Sequence, residues 1–253
     1  MEMKKAIFIL GLTMIFFSAV IGQNQFEVLL YTKPNPYHDQ AIITAVESFK
    51  DMSTQHQFGL TWTQQETSFD NGNIEKFDVI VFLNTNSRFF NEEQKTNIKK
   101  FVNDGGGIVG IHGAAVSIGD WEWFKKLIGR VFRANIKIQS GIMNILNNNF
   151  PATMHLPEKW LWTEEWYLYG DALTPNQNVL ISFDETTIEP IRSFSDIRME
   201  NIGKNNPISW YQEFEGGRSF YTALGHQAGA YNDPLFLKHL MGAIYWAANK
   251  IDN

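Results

Sequence analysis

Short apolar segments and helical segments alternate through the first half of the chain. Apolar positions recur at helical spacing from Asp39 to Met52, and Asn91 with Gln94 forms the start of a second helix that runs through Val102. The intervening apolar runs predict four strands, at residues 27–31, 58–62, 78–83 and 107–111. Alternation of this kind predicts a doubly wound α/β sheet, and continuous apolar strands indicate that it is mostly parallel with helices on both faces.

The second half is less regular. The sequence predicts a strand or hairpin arm at 136–146, a strand at 178–183, and a hairpin of 208–214 with 219–223 that we expect at an edge of the sheet. The aromatic segment 160–169 is predicted as loop and short elements, and the polar segment 184–206 as an exposed excursion. Asp233 and Pro234 are typical of the start of a helix, which we expect to be the last element.

The N-terminus has the pattern of a secretory signal peptide. Lys4 and Lys5 precede an apolar run from Ala6 to Ile21, and a polar stretch begins at Gln23. We therefore predict a signal peptide at 1–22, a single domain at 23–253, and export, to the periplasm if the host has two membranes. The run is shorter than the ~20 residues of a spanning helix. An uncleaved signal anchor is the alternative.

Composition excludes several kinds of chemistry. The 253 residues include no cysteine, so there is no disulfide, thiolate metal ligand or cysteine nucleophile. The net charge is −6, and it becomes −7 without residues 1–22; no block of lysine and arginine appears. We therefore expect no nucleic-acid partner and no stable membrane insertion after signal cleavage, whereas oligomerisation stays open.

Three of the six histidines follow predicted strands. His38 comes after the first strand, His112 after the fourth and His226 after the hairpin. In open α/β sheets, ligands bind beyond the carboxyl ends of the strands. The segment Gly110–Ala114 is similar to a nucleophile elbow, in which small residues allow a sharp turn that exposes one side chain, here the imidazole of His112. Each histidine could instead have a structural role.

An acidic pair provides further candidates. Glu164 and Glu165 lie in the aromatic segment, where a carboxyl group could act in proton transfer or complete a metal site. Neighbouring side chains point in opposite directions on a strand, so we expect only one of the two, Glu165, to point inward. The candidate catalytic residues are His112 and Glu165. Candidate ligands of a divalent metal, zinc or manganese, are His38, His112, His226 and Glu165.

Aromatic side chains suggest a saccharide partner, because flat apolar rings stack on a pyranose face. Five tryptophans lie between Trp121 and Trp166, of which three are expected in the core. The candidate substrate-binding residues are Tyr37, Trp121, Trp162, Trp166 and Glu164.

Several segments together resemble the ThuA-like, or trehalose-utilisation, proteins. They are GGGIVGIHGA at 105–114, PATMHLP at 151–157, TEEWY at 163–167, PISWY through GGRSFYTALGH at 207–226, and the helix at 233–248. The resemblance implies a flavodoxin-like fold similar to class I glutamine amidotransferases. In that superfamily the elbow holds cysteine, so His112 implies a protein without glutaminase activity. The family's histidines correspond to His38, His112 and His226.

The chain also departs from the family pattern. Phe150 and Asn206 stand where histidine is common, and Gln227 stands where aspartate or threonine is usual. We expect these departures to make the lining of the site less polar.

Three hypotheses follow. The first is an exported enzyme that acts on trehalose or a related glycoside by His/Glu acid–base or metal-assisted chemistry. The second is a non-catalytic carbohydrate-binding protein, and the third is a structural component of an assembly. The resemblance to a family is an association and does not identify the reaction.

Overall fold

The computed structural model describes residues 24–85, 87–116, 121–195, 197–200, 202–204 and 206–250. The predicted signal peptide at 1–22 lies outside the described residues. Among the helices of the described ranges, none is long and apolar enough to cross a bilayer.

One mixed sheet organises the described chain. Its order is β2-β1-β3-β4-β9-β8-β7-β5-β6. The strands are β1 Glu27–Thr32, β2 Gly59–Thr63, β3 Val79–Leu83, β4 Gly107–Ile111, β5 Phe132–Ile145, β6 Lys159–Tyr169, β7 Asn178–Phe183, β8 Asn206–Phe214 and β9 Gly217–Thr222. The four strands predicted in the first half are confirmed to within one residue at each end.

The helices are α1 Asp39–His56, α2 Glu92–Asn103, α3 Glu122–Ile128 and α4 Pro234–Ala247. Two of their predicted starts are confirmed. Asn91 and Gln94 form a reciprocal capping box at α2, and the Asp233 carboxylate accepts two backbone N–H groups at the start of α4. These local contacts satisfy N–H groups that have no partner within the helix.

Helices cover both faces of the parallel region, as predicted. Gly107 and Gly110 are three residues apart on β4 and so face opposite sides of the sheet. A Cβ atom at Gly107 would lie 2.3 Å from the Ala247 carbonyl oxygen on α4, and one at Gly110 would lie 3.1 Å from Ile128 on α3. Glycine at both positions therefore allows one helix to pack closely on each face of β4.

The sheet is parallel in one half only. The pairings of β2, β1, β3, β4 and β9 are parallel, whereas those that join β9, β8, β7, β5 and β6 are antiparallel. The prediction of a mostly parallel sheet is therefore not confirmed. The alternation of strand and helix that indicated parallel pairing ends at α3, and later strands follow one another without a crossover helix of that kind.

Two further predictions for the second half are wrong. The aromatic segment predicted as loop forms the 11-residue strand β6, since aromatic residues suit a strand that packs on both sides. The predicted hairpin does form, but it lies in the middle of the sheet because β9 pairs with β4 as well as with β8. The edge position is occupied by β6.

The antiparallel half curls back over the sheet. The hydroxyl groups of Tyr169 on β6 and Tyr221 on β9 are 2.7 Å apart, although three strands separate β6 from β9 in the sheet order. Two register shifts interrupt the β5–β6 ladder, between Phe132 and Ala134 and between Ile136 and Gln139. Such irregularities increase the twist and bend of a strand. The curl brings one face of β6 near the carboxyl end of β4.

The excursion at 184–206 is mostly exposed where it is described, as predicted. It rests against β5 through a bridge between Ile136 and Arg192, and Ile188 is buried beside Gly141. The excursion therefore belongs to the same domain and lies on the side of the sheet to which β6 curls.

A buried histidine joins α4 to the sheet. The His239 Nδ1–H group donates to the Ala152 carbonyl oxygen at 2.7 Å, and Nε2 accepts from the Thr222 hydroxyl at 3.2 Å. Burial lowers the pKa of His239 to about 4, against the opposing effect of the Ala152 carbonyl. In the folded protein the His239 side chain is therefore the neutral imidazole.

Acidification is expected to weaken the fold through His239. The unfolded chain takes up this proton near pH 6.5 and the folded chain only near pH 4, so stability falls as the pH drops through that interval. Between pH 7 and pH 5 this histidine alone should cost about 2 kcal/mol of unfolding free energy. Urea denaturation of the wild type and His239→Asn at both pH values measures the difference, and an equal pH dependence in both proteins would contradict it.

Candidate active site

The candidate site lies where the parallel strands end. β1, β3, β4 and β9 finish at the same edge of the sheet, and their following segments bring together His38, Asn84, His112 and His226. Convergence of these segments is a consequence of parallel pairing. The sequence prediction that the three histidines meet beyond the strand ends is supported by this geometry.

His112 occupies a sharp turn, as the elbow interpretation predicts, but the expectation that the turn exposes its imidazole is wrong, because neighbouring segments cover the ring. Its backbone has φ 46°, which is uncommon for a residue with a side chain, and the imidazole is fully buried. The next residue, Gly113, packs against the backbone of Asn84, where a Cβ atom would lie 3.1 Å away. The Tyr221 hydroxyl donates to the His112 carbonyl oxygen at 2.7 Å and helps to hold this turn.

Hydrogen bonding fixes the orientation of the His112 ring. Its Nδ1 lies 2.6 Å from the Ala223 carbonyl oxygen, which can only accept, so Nδ1 carries the proton. Nε2 of the neutral ring is then an acceptor, and it lies 3.1 Å from Nδ1 of His226. The ring of Tyr167 packs on the imidazole with the ring centres 4.2 Å apart.

His38, His112 and His226 form a compact triangle, which we call the histidine cluster. Each pair of ring centres is 5.0 Å apart, and one ligand nitrogen from each ring lies within 4.8 Å of the others. Nδ1 of His38 is buried and has no hydrogen-bond partner among the residues that the structure describes. A buried polar nitrogen without a partner is costly, which makes this atom a candidate for binding a ligand or an ion.

Burial keeps the histidine cluster neutral. It is the main factor that lowers the pKa of His38 to about 4, with a smaller contribution from His226. Burial also lowers the pKa of His112 well below the usual range, and lowers that of His226 against the opposing effect of Glu165. At neutral pH the three rings therefore have lone pairs available to bind a metal ion or accept a proton.

Glu165 brings a carboxylate to the cluster from the other half of the sheet. Its Oε2 lies 3.5 Å from Nδ1 of His226 and 3.8 Å from Nε2 of His112. The Asn135 side chain on β5 donates to Oε1 at 2.6 Å and so orients the carboxylate. The prediction that Glu165 faces the site is supported by these contacts.

Glu164 points to the opposite face of β6 but is also buried. The expectation that only one of the two carboxyl groups is inward is therefore wrong, because both faces of this strand are covered. Glu164 accepts the backbone N–H groups of Gly225 and Glu165, each at 2.9 Å. Burial raises the pKa of Glu164 to about 7 against these hydrogen bonds. Glu164 thus positions the segments that hold Glu165 and His226.

Asn84 is a residue of the site that the sequence analysis missed. It follows β3 with φ 50°, accepts the Gly113 N–H group and donates to the Gly225 carbonyl oxygen, both at 3.2 Å. It therefore links the segment after β4 to the segment after β9. Its position directly after the third strand was the signal that could have identified it. The sequence analysis took candidates only from the segments after the first and fourth strands and after the hairpin.

A cavity of about 420 Å³ opens beside the cluster. His38, His226 and Glu165 contribute to its wall, and most of the other lining residues are polar, basic or aromatic. They are Lys33, Pro34, Asn35, Tyr37, Asn84, Thr85, Arg88, Phe89, Gly113, Val116, Phe132, Asn135, Tyr167 and Phe194. The volume falls within the range of about 300–1,000 Å³ typical of small-molecule sites.

The predicted substrate-binding residues are divided by the structure. Tyr37 lines the cavity, whereas Trp121 and Trp166 are packed in the core and Trp162 packs on Trp160 and Phe236. These tryptophans do not line the cavity. Glu164 does not line it either, and instead accepts backbone N–H groups of Gly225 and Glu165. The expectation that three of the five tryptophans are core residues agrees with the burial of Trp121, Trp160 and Trp166.

The three departures from the family pattern lie elsewhere. Phe150 stacks on Tyr211 with ring centres 4.2 Å apart, Asn206 donates to the Gly203 carbonyl oxygen, and Gln227 lies beside Trp162 and Thr163. None of the three lines the cavity. The expectation that they make the site less polar is therefore wrong.

Comparisons with solved structures agree with the fold. A ThuA-like protein from Bacteroides uniformis superimposes with a TM-score of 0.77 at 24% identity, over 92% of this chain and 95% of that one. One from Parabacteroides merdae gives 0.69 at 18% identity, over 89% and 90%. PurLQS from Thermotoga maritima gives 0.54 at 12% identity, over 87% and 98%. No curated protein matches the sequence significantly.

The chain has a glutamine amidotransferase-like fold in which the elbow position holds histidine. The sequence model of the ThuA family, described as trehalose utilisation, matches residues 27–247. The chain belongs to this family, as its motifs predicted.

Removal of the Glu164 carboxylate is expected to destabilise the site. Glu164→Gln keeps one acceptor oxygen but turns an NH₂ group toward backbone N–H donors, which should cost about 1–3 kcal/mol of unfolding free energy. Chemical denaturation measures this loss, with the exposed Glu158→Gln as a matched control that should change little. Equal stability of the two variants would show that the contacts of Glu164 do not support the fold.

Proposed function

We propose that the histidine cluster binds a divalent metal ion, zinc or manganese, and that the protein uses it with Glu165 in a reaction of a saccharide. The observation that supports this most directly is the convergence of three imidazoles, that of His112 buried and those of His38 and His226 half-buried, with the Glu165 carboxylate beside one cavity. Nitrogen and oxygen ligands of this kind suit divalent transition metals.

The spacing of the donor atoms suits a metal ion. His112 Nε2, His226 Nδ1 and Glu165 Oε2 are separated by 3.1, 3.5 and 3.8 Å. Ligand atoms of a tetrahedral zinc site with bonds of about 2.0–2.1 Å lie about 3.3 Å from one another. Nδ1 of His38, which bonds to none of the described residues, offers a further donor atom. The bond from His112 Nδ1–H to a backbone carbonyl is the support that metal-binding histidines commonly have.

The side chains indicate how the chemistry would be shared. A bound divalent ion would act as a Lewis acid toward an oxygen of the substrate or of water. Glu165, oriented by Asn135, is placed to take a proton from a hydroxyl group or water in the cavity and return it later. Its position beside the histidines, with Oε2 directed at them, supports this role.

A saccharide is the substrate class that the cavity and the family favour. The family is described by trehalose utilisation. Amide side chains of Asn35, Asn84 and Asn135 line the cavity and can both donate to and accept from sugar hydroxyl groups, and Phe132 and Tyr167 add apolar surface. Glutaminase activity is not proposed, because the chain has no cysteine and His112 occupies the elbow.

Metal binding and turnover test this proposal together. The wild type should bind about one zinc or manganese ion per chain after dialysis and reconstitution, as measured by elemental analysis. His38→Ala and His226→Ala should weaken metal binding by at least about 100-fold, since loss of even an outer partner costs 10–100-fold. His112→Asn should do the same, and asparagine tolerates the left-handed backbone at this position. His56→Asn, outside the cluster, is the control.

The reconstituted protein is then incubated with trehalose and other glycosides, and products are detected by mass spectrometry. Glu165→Gln should weaken metal binding less than loss of a histidine does, because the three histidines remain, and should lower turnover by about 10²–10⁴-fold. Failure of the wild type to bind either metal would overturn the metal site. Saccharide binding without turnover, with metal bound, would support the alternative of a non-catalytic carbohydrate-binding protein.

We also propose that the protein is exported, with cleavage near Gly22 and Gln23. The two lysines before the apolar run from Ala6 to Ile21 support this. When the full chain is expressed in a bacterium with two membranes, the mature protein should appear in the periplasmic fraction. N-terminal sequencing should begin near residue 23, and an intact N-terminus in the cytoplasmic fraction would contradict export.

A further inference from the structure

Two aromatic side chains stand exposed at the mouth of the cavity. Tyr37 is 65% exposed and Phe194 is 81% exposed, and both line the cavity. Their ring centres are 5.7 Å apart and the ring planes meet at 62°, so the two rings pack edge to face and form one aromatic patch. Exposed aromatic surface at the mouth of a cavity is typical of a ligand-binding surface.

The backbone at Phe194 is held in an unfavourable conformation. Its φ of 59° is rare for a bulky residue and costs free energy that the surrounding structure must offset. The Ser193 N–H group donates to the Asn135 carbonyl oxygen, and Arg192 N–H donates to the Ile197 carbonyl oxygen, each at 3.0 Å. The excursion is thereby fixed on β5 beside Asn135, the residue that orients Glu165.

The other ring of this aromatic patch, Tyr37, is held by the turn before α1. The backbone N–H of Tyr37 donates to the Asn35 side chain at 3.2 Å, and Asn35 also donates to the Asn84 carbonyl oxygen at 3.3 Å. The two aromatic side chains therefore come from separate segments, each of which is tied to a residue that contacts the site. Both rings are mostly exposed, so packing in the core does not account for their positions.

We propose that Tyr37 and Phe194 form a subsite that stacks on the apolar face of a pyranose ring, while the hydroxyl groups of that sugar reach the polar wall of the cavity. This inference rests on the proposed saccharide function of the same site. A closed sugar ring presents a rigid face of C–H groups that an aromatic ring can cover. An acyclic polyol has similar hydroxyl groups but no such face, so the subsite would select cyclic sugars.

Phe194→Gly is the sharpest variant for a test. Glycine adopts positive φ without strain, so the change removes the ring while the backbone conformation is kept. Because Phe194 is largely exposed, the variant should melt at the same temperature as the wild type or higher. Tyr37→Leu removes the second ring and keeps apolar bulk. Leu161→Ala, an exposed apolar residue on β6 outside this cavity, is the matched control.

Binding of glucose, trehalose and sorbitol to the metal-reconstituted proteins is measured by titration calorimetry. The wild type should bind at least one of the two cyclic sugars more tightly than sorbitol. Phe194→Gly and Tyr37→Leu should each weaken that binding by about 5–10-fold, as expected for loss of one aromatic contact, and leave sorbitol binding and metal content unchanged. Leu161→Ala should bind as the wild type does.

Three outcomes would overturn the subsite: no binding of either cyclic sugar by the wild type, equal binding of glucose, trehalose and sorbitol, or unchanged sugar binding in both aromatic variants. Failure of the metal proposal can be distinguished from failure of the aromatic subsite. In that case the wild type would contain no metal, yet the two aromatic variants would still bind sugar more weakly.

Discussion

The left-handed turn at His112 is the constraint on which the candidate site depends. A residue with φ near 46° at the end of a buried strand directs its side chain away from the strand axis and into the space between neighbouring segments. The Ala223 carbonyl oxygen and the Tyr221 hydroxyl hold the ring and the backbone of His112 from β9 and the segment that follows it. These contacts require β9 to lie beside β4, so the central position of the hairpin and the geometry of the elbow depend on each other.

The change from parallel to antiparallel pairing gives the site its second component. β9 pairs with β4 on one side and β8 on the other, and beyond β8 the sheet curls until β6 approaches β9. A flat continuation of the parallel sheet would leave Glu165 several strands away from His112. The curl instead places a carboxylate 3.8 Å from the His112 ring. The segments that follow the parallel strands thus supply the three imidazoles, and the antiparallel half supplies the Glu165 carboxylate.

Burial sets the protonation of the cluster. Three imidazoles so close together would repel one another if charged, and desolvation already favours the neutral form of each. Asn84 and Glu164 use their polar atoms on backbone groups of the same segments, which fixes the positions of the rings. The ring positions are therefore set by the protein's own contacts, and within the described part of the chain Nδ1 of His38 has no hydrogen-bond partner.

The sequence alone determined the first half of the fold and which residues are the main candidates for the site. Strands β1 to β4, the capping box at Asn91, the elbow at His112 and the meeting of three histidines all follow from local periodicity, capping chemistry and the geometry of parallel strands. These are short-range or topological rules, which one chain is enough to apply. Family motifs in the same segments identified the ThuA family, which the match over residues 27–247 bears out.

Only the tertiary structure decided the rest. The order of the antiparallel strands, the curl that brings Glu165 to His112, and the contacts of Asn84 and Phe194 depend on pairings between residues distant in sequence. Trp121, Trp162 and Trp166 show the same limit, because an aromatic residue that packs in a core and one that lines a cavity have the same local pattern. Which surface an aromatic ring covers is set by long-range packing, and the sequence of the segment that contains it does not specify that packing.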